Sequence, residues 1–191
     1  MSVGAAERVN EALAAIDRRG FLPTCELAHA QEDRPLSIGW EQTNSQPRTV
    51  RRMLELLDVP PGARVLDVGA GSGWTTALLA RLVGPAGSVI GTEIVPELRA
   101  WGAGNLASTG QPWARIEAAR PARLGWPEEA PYDRILVSAN ASGLPDELIG
   151  QLAADGVLVL PVQGRMARVT DRGRTVHWAG RYLFVPLIEP G

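Results

Sequence analysis

Residues 64–74, Arg-Val-Leu-Asp-Val-Gly-Ala-Gly-Ser-Gly-Trp, decide the fold of this chain. Arg64–Val68 is a short apolar run broken by one acid, the composition of a strand buried on both faces. Gly69, Gly71 and Gly73 follow at once, and the next segment, TTALLARLV, reads as a helix. Glycines at such a turn let the backbone fold tightly and let a bound molecule approach the main chain. A glycine turn alone is a weak signal. Glu93 sharpens it, because it ends the next apolar run, Ser88–Glu93, about twenty residues downstream. A doubly wound sheet places there the carboxylate that holds a ribose diol.

Working outward, the alternation of strand and helix continues. Pro96–Ser108 reads as a helix, Trp113–Glu117 as a short strand and Asp133–Ser138 (DRILVS) as a buried strand. Pro145–Leu152 reads as a helix and Gly156–Val162 as a further strand. Stretches around Met166–Thr170 and Tyr182–Leu187 read as a closing antiparallel pair. Upstream, residues 5–19 space Val9, Leu13 and Ile16 as a helix stopped by Gly20. A second helix over 46–58 carries Val50, Met53, Leu54 and Leu57 on one face. Between them runs a loop broken by Pro23, Pro35 and Pro47, of a length that often marks function. The expected fold is therefore α/β: a Rossmann-like, doubly wound, mostly parallel sheet with helices on both faces and a C-terminal antiparallel strand pair. It forms one domain over 1–191, with 1–60 supplying helices and a covering loop and 61–191 the core.

The chemistry of the glycine turn separates two kinds of ligand. A dinucleotide fingerprint needs its third glycine one position later, where Trp74 stands. Asp67, just before the loop, would also repel a pyrophosphate seated on the helix N-terminus. A cationic ligand reverses the sign, so the ammonium and sulfonium of S-adenosylmethionine suit this acid.

Composition narrows the remaining classes. Net charge is −2 and all 19 cations are Arg, a usage that reads as a GC-rich coding sequence. No nucleic acid or anionic membrane is called for as a partner. The close pairs Arg18–Arg19 and Arg51–Arg52 read as solvated helix faces. Cys25 is the single cysteine and His29 and His177 the two histidines, so no disulfide, CxxC site or metal site is expected. The N-terminal residues carry charges throughout and resemble neither a signal peptide nor a membrane span, so a cytoplasmic protein is expected.

Several stretches together resemble the protein-L-isoaspartate O-methyltransferases: EDRPLSIG followed by Gln42-Thr43-Asn44-Ser45-Gln46-Pro47, DVGAGSGW, TEIVPEL at Thr92–Leu98, LGWPEEAPYD at Leu124–Asp133, VSANASGLP and RYLFVPL. The resemblance runs from about Phe21 to Leu187. It implies an S-adenosylmethionine-dependent carboxyl O-methyltransferase acting on L-isoaspartyl residues of proteins or peptides. By position it implies that Ser45 is the active residue and that Gln42, Thr43 and Asn44 line the methyl donor. Asp67, Gly69, Gly71 and Gly73 would hold its methionine half, and Glu93 with Ile94 its ribose side. Ser138, Ala139, Asn140 and Ala141 would face the acceptor. From the residues alone, Ser45 reads as an N-cap for the following helix and Asn140 as a turn residue.

The chain departs from that pattern where ligands would bind. The acid expected to reach adenine falls on Pro121, between Arg120 and Ala122. Asn44 stands in place of an aliphatic, Trp40 and Glu41 in place of smaller residues and Gln31 in place of an aromatic. Two alternatives therefore stand beside the isoaspartyl reading. One is a relative that methylates a carboxylate of a biosynthetic peptide or small molecule; the other is a non-catalytic relative that keeps only the fold.

Overall fold

A computed structural model describes residues 3–120 and 122–188. Pro121 lies outside the described residues. Seven strands form one sheet: β3 (Arg64–Val68), β4 (Ser88–Glu93), β5 (Ala114–Ala118), β6 (Tyr132–Val137), β7 (Leu152–Val162), β8 (Arg165–Thr170) and β9 (Thr175–Arg181). Their order is β5-β4-β3-β6-β7-β8-β9, parallel through β7 and antiparallel across the last two pairings. This is the Rossmann-like sheet the sequence implies. The order reverses at β3, whose neighbours are β4 and β6. Such a switch point opens a crevice beyond the carboxyl ends of the two central strands.

Strand periodicity builds two cores from single strands. Val65, Leu136, Val157 and Val159 face one layer, and Leu66, Ile135, Val137, Leu158 and Leu160 face the other. The first layer receives the helices α1 (Val3–Ala15), α2 (Pro47–Leu57) and α3 (Trp74–Val83), together with Leu106 of α4 (Pro96–Ala107). The second is closed by Leu148 of the short helix α5 (Asp146–Gly150), by Leu124 and by the fully buried Tyr132. Helices cover both faces, most of them on the first.

The structure revises three sequence expectations. The closing antiparallel unit is β8 with β9 at Thr175–Arg181, and residues 182–187 lie beyond the last strand. The apolar run Tyr182–Leu187 lines a cavity, which accounts for its strand-like composition. The helix expected over 145–152 keeps one turn and a half, because Leu152 already begins β7 and pairs with Tyr132. The loop between α1 and α2 is not featureless: it carries a 3-10 turn at Thr24–His29 and a hairpin of β1 (Leu36–Gly39) and β2 (Gln42–Asn44). Trp40 and Glu41, both with positive φ, make the turn of that hairpin. Alternate residues Leu36 and Ile38 are buried and pack with Leu98 of α4, which fastens the hairpin over the crevice.

Candidate active site

The switch point opens into a cavity of about 970 Å³, large enough for a drug-sized molecule and a portion of a second. Its floor is the glycine loop. Gly69 and Ala70 donate their N–H groups to the Thr92 carbonyl, tying the end of β3 to the end of β4. Gly69, Gly71 and Gly73 all have positive φ, so each is where an L side chain would strain the turn. Gly69 and Gly71 line the cavity. Gly73 does not: a Cβ there would come within 2.7 Å of the Gly102 carbonyl of α4, so it serves close packing.

Glu93 is nearly buried yet borders the cavity, and it is the only acid among the described residues that does. Its Oε2 accepts from Gly71 N at 2.8 Å, and Oε1 accepts from Ile94 N at 2.8 Å and Val95 N at 2.9 Å. The carboxylate is thus fixed by the loop it serves, with one lone pair, on Oε2, left for a ligand hydroxyl. Ile94 is exposed beside it and lines the same wall.

Asp67 is placed differently from the expectation. It is fully buried behind the loop and absent from the cavity wall. Its Oδ2 accepts from the hydroxyls of Thr75 at 2.9 Å and Thr76 at 2.7 Å, which ties β3 to the first turn of α3. Its Oδ1 has no partner among the described residues. Burial pushes its carboxyl up to about 6, against the two threonine hydrogen bonds, and the charge of Glu93 adds to the rise. A cation bound on the loop would oppose that rise.

The covering wall comes from β2 and the residues after it. Gln42, Thr43, Asn44 and Ser45 all border the cavity. Asn44 is buried and its amide donates to the Ser72 hydroxyl at 3.1 Å, joining the hairpin to the glycine loop. Ser45 is not the helix cap: Gln46 holds that position, without a side-chain cap bond. The Ser45 hydroxyl therefore has no partner among the described residues. Glu41 is exposed at the hairpin turn and does not border the cavity, so its charge does not face the ligand space.

The four residues after β6 divide into two pairs. Ser138 and Ala139 border the cavity, and the buried Ser138 hydroxyl has no partner among the described residues. Asn140 and Ala141 do not reach it. Asn140 instead pins the last segment: its Oδ1 accepts from Gly164 N at 2.8 Å, its N–H donates to the Val185 carbonyl and its carbonyl accepts from Leu187 N. Residues 182–188 become a wall through these bonds.

Sequence reasoning missed Arg18, which is not on a solvated face but buried at 4 % exposure. Its Nε donates to Asn44 Oδ1 at 2.8 Å, and its terminal nitrogens donate to the carbonyls of Ala30, Glu32, Arg34, Asn44 and Ser45. The guanidinium also lies 5.5 Å from the Trp74 ring centroid. One side chain thereby gathers the whole covering segment onto the start of α3. Among the described residues no helix is long and apolar enough to cross a membrane, and no group of three or more His, Cys, Asp or Glu is placed to hold a metal.

A switch-point glycine loop backed by two acids is the reverse of a phosphate cradle and suits a ligand that carries positive charge. The sequence profile of protein-L-isoaspartate(D-aspartate) O-methyltransferases matches residues 2–189. A protein-L-isoaspartate O-methyltransferase of Methanopyrus kandleri is 43% identical over 190 residues, covering 95% of this chain and 83% of that protein. One from Aeropyrum pernix is 47% identical over 155 residues, covering 81% of this chain and 60% of its own longer sequence. A solved Plasmodium falciparum structure described as a putative protein-L-isoaspartate O-methyltransferase, in complex with S-adenosyl-L-homocysteine, superposes with a TM-score of 0.84 at 26% identity over 96% of this chain and 91% of that one. The chain belongs to the protein-L-isoaspartate(D-aspartate) O-methyltransferase family.

Proposed function

We propose that the chain transfers a methyl group from S-adenosylmethionine to the carboxylate of L-isoaspartyl residues in proteins or peptides. The observation that carries this reading is the pairing, across one cavity, of the Glu93-braced glycine loop with two unpartnered hydroxyls, Ser45 and Ser138. The relatives' names support it, since each is described as a protein-L-isoaspartate O-methyltransferase. Bound S-adenosylmethionine supplies an electrophilic methyl carbon. Gly69, Gly71 and Glu93 are the residues that would hold it, with Ile94, Gln42, Thr43 and Asn44 as the surrounding walls, and Asp67 and Gly73 acting from behind as supports.

The acceptor carboxylate is already ionised at neutral pH, so no general base is needed. That agrees with a cavity whose described lining contains no histidine. The work of the protein is to orient and to exclude water. Ser45 and Ser138 would each donate a hydrogen bond to the incoming carboxylate, and neither acts as nucleophile. The hairpin above and residues 182–188 alongside keep bulk water from the reacting carboxylate.

Labelled donor offered with two peptides differing at one residue tests the assignment. Transfer to the L-isoaspartyl peptide and none to the L-aspartyl peptide is expected; label on neither, with donor binding intact, would remove the isoaspartyl reading. Glu93→Gln checks the donor side. An amide cannot accept three backbone N–H bonds as the carboxylate does, so affinity for S-adenosylhomocysteine should fall by about 1–3 kcal/mol in calorimetry. An unchanged dissociation constant would take Glu93 out of donor binding.

A further inference from the structure

Six of the 19 arginines border this one cavity, Arg48, Arg52, Arg120, Arg123, Arg165 and Arg181, against the single acid Glu93. A chain of net charge −2 gains no such concentration from composition alone. The six come from three separate regions of the chain, and each region sets a pair of like charges side by side. Arg48 and Arg52 are four apart on α2, a spacing that places both on one face. Arg120 and Arg123 face each other across an isolated antiparallel bridge. Arg165 and Arg181 are direct cross-strand partners at the ends of β8 and β9. Like charges so placed repel and cost the fold stability.

Acids answer only half of this charge. Arg48 pairs with Asp33, Arg52 with Glu55 and Arg120 with Glu128. Arg123, Arg165 and Arg181 have no ion pair among the described residues, although Arg165 stacks 4.7 Å over the Trp178 ring. The donor answers one of them at most, because it carries a single carboxylate beside its ammonium and sulfonium cations. The acceptor is anionic, yet one carboxylate does not account for cations spread over the two sides of the opening.

We infer that the rim formed by Arg123, Arg165 and Arg181 selects acceptor peptides carrying further carboxylates beside the methylated one. This rests on the isoaspartyl reading above and names its preferred class of peptide as acidic. Acidic flanks place counter-charges against three exposed guanidinium groups gathered at one opening, where several modest attractions act together. Association with such peptides is also steered, and added salt weakens the effect.

The test uses the whole protein with three isoaspartyl peptides of equal length whose flanking residues are Glu, Gln or Lys. At low salt kcat/KM should be about tenfold or more higher for the Glu peptide than for the Lys peptide, mostly through KM, and about 0.5 M salt should remove most of the difference. In the R123Q/R181Q protein the Glu-to-Lys ratio should fall to within about threefold, a readout that general damage to the fold would not move. Anisotropy of the same labelled peptides, with S-adenosylhomocysteine present, reads the preference even where no transfer occurs, so failure of the isoaspartyl reading stays distinct from failure of this one. Equal kcat/KM and equal Kd for the Glu and Lys peptides would overturn the inference, as would a ratio unchanged in R123Q/R181Q.

Discussion

Replacing Arg18 by Met is expected to lower unfolding free energy by about 3–5 kcal/mol and to weaken S-adenosylhomocysteine binding at the same time. The size follows from what the change strands. Five main-chain carbonyls and Asn44 Oδ1 accept from this guanidinium, and its removal leaves several of them buried without a donor. Met fills the stem volume, so the loss is of hydrogen bonds and not of packing. Burial, followed by the charge of Arg34, pushes the guanidinium down to about 10, which still leaves it charged at neutral pH. R18K should rescue little, because one ammonium cannot spread its three donors over that set of acceptors. The ligand effect arises because the same residue holds Asn44, whose amide in turn holds Ser72 on the glycine loop. Urea denaturation and calorimetry on both variants check this; stability within about 1 kcal/mol of the parent would show that the segment is held by other means.

The second large effect is expected from G102A. A Cβ at Gly102 would lie 2.5 Å from the Gly71 carbonyl and 3.2 Å from the Ser72 carbonyl carbon, so the glycine loop or α4 must shift. Overpacking against backbone should cost about 2–4 kcal/mol, more than the roughly 1 kcal/mol that alanine returns in helix propensity. Because the displaced carbonyl belongs to the loop under Glu93, donor affinity should fall as well. G104A, on the same helix, is the control. Nothing lies within 4 Å of its added Cβ and the site is exposed, so it should stabilise by up to about 1 kcal/mol. Thermal melts that moved both variants in the same direction would contradict this account.

How much of the molecule is legible in its sequence depends on the range of the interaction. β3, β4 and β6 are readable because strands buried on both faces leave short, mostly apolar runs, and β3 and β4 match residue for residue. Glu93 is readable because its distance from the glycine turn is set by one strand–helix–strand unit. Arg18 is not, since all its partners lie 12 or more residues away and a buried arginine has no signature beside an exposed one. Charge alone makes Asp67 a ligand group, whereas Thr75 and Thr76 draw it beneath the helix start. The hairpin of β1 and β2 is too short for a period of two to show, and Trp40 and Glu41 conceal a turn more often made by Asn and Gly. Tyr182–Leu187 has the composition of a strand because both a sheet face and an apolar wall demand it.

The way residues 182–188 are held has a consequence for motion. Every ladder of the seven-stranded sheet closes without them, and they are attached by the bonds from Tyr182 N to Gly164 O, Asn140 N to Val185 O and Leu187 N to Asn140 O. Breaking a few bonds at a surface segment requires far less free energy than opening the sheet, so this stretch belongs among the early-opening units of amide exchange. The Leu187 amide should lose protection long before that of Leu66. Separating the segment from Asn140 opens the cleft from the side with the sheet intact, which gives a loop on a bulky folded protein a route to the reacting centre that a sealed pocket would deny it.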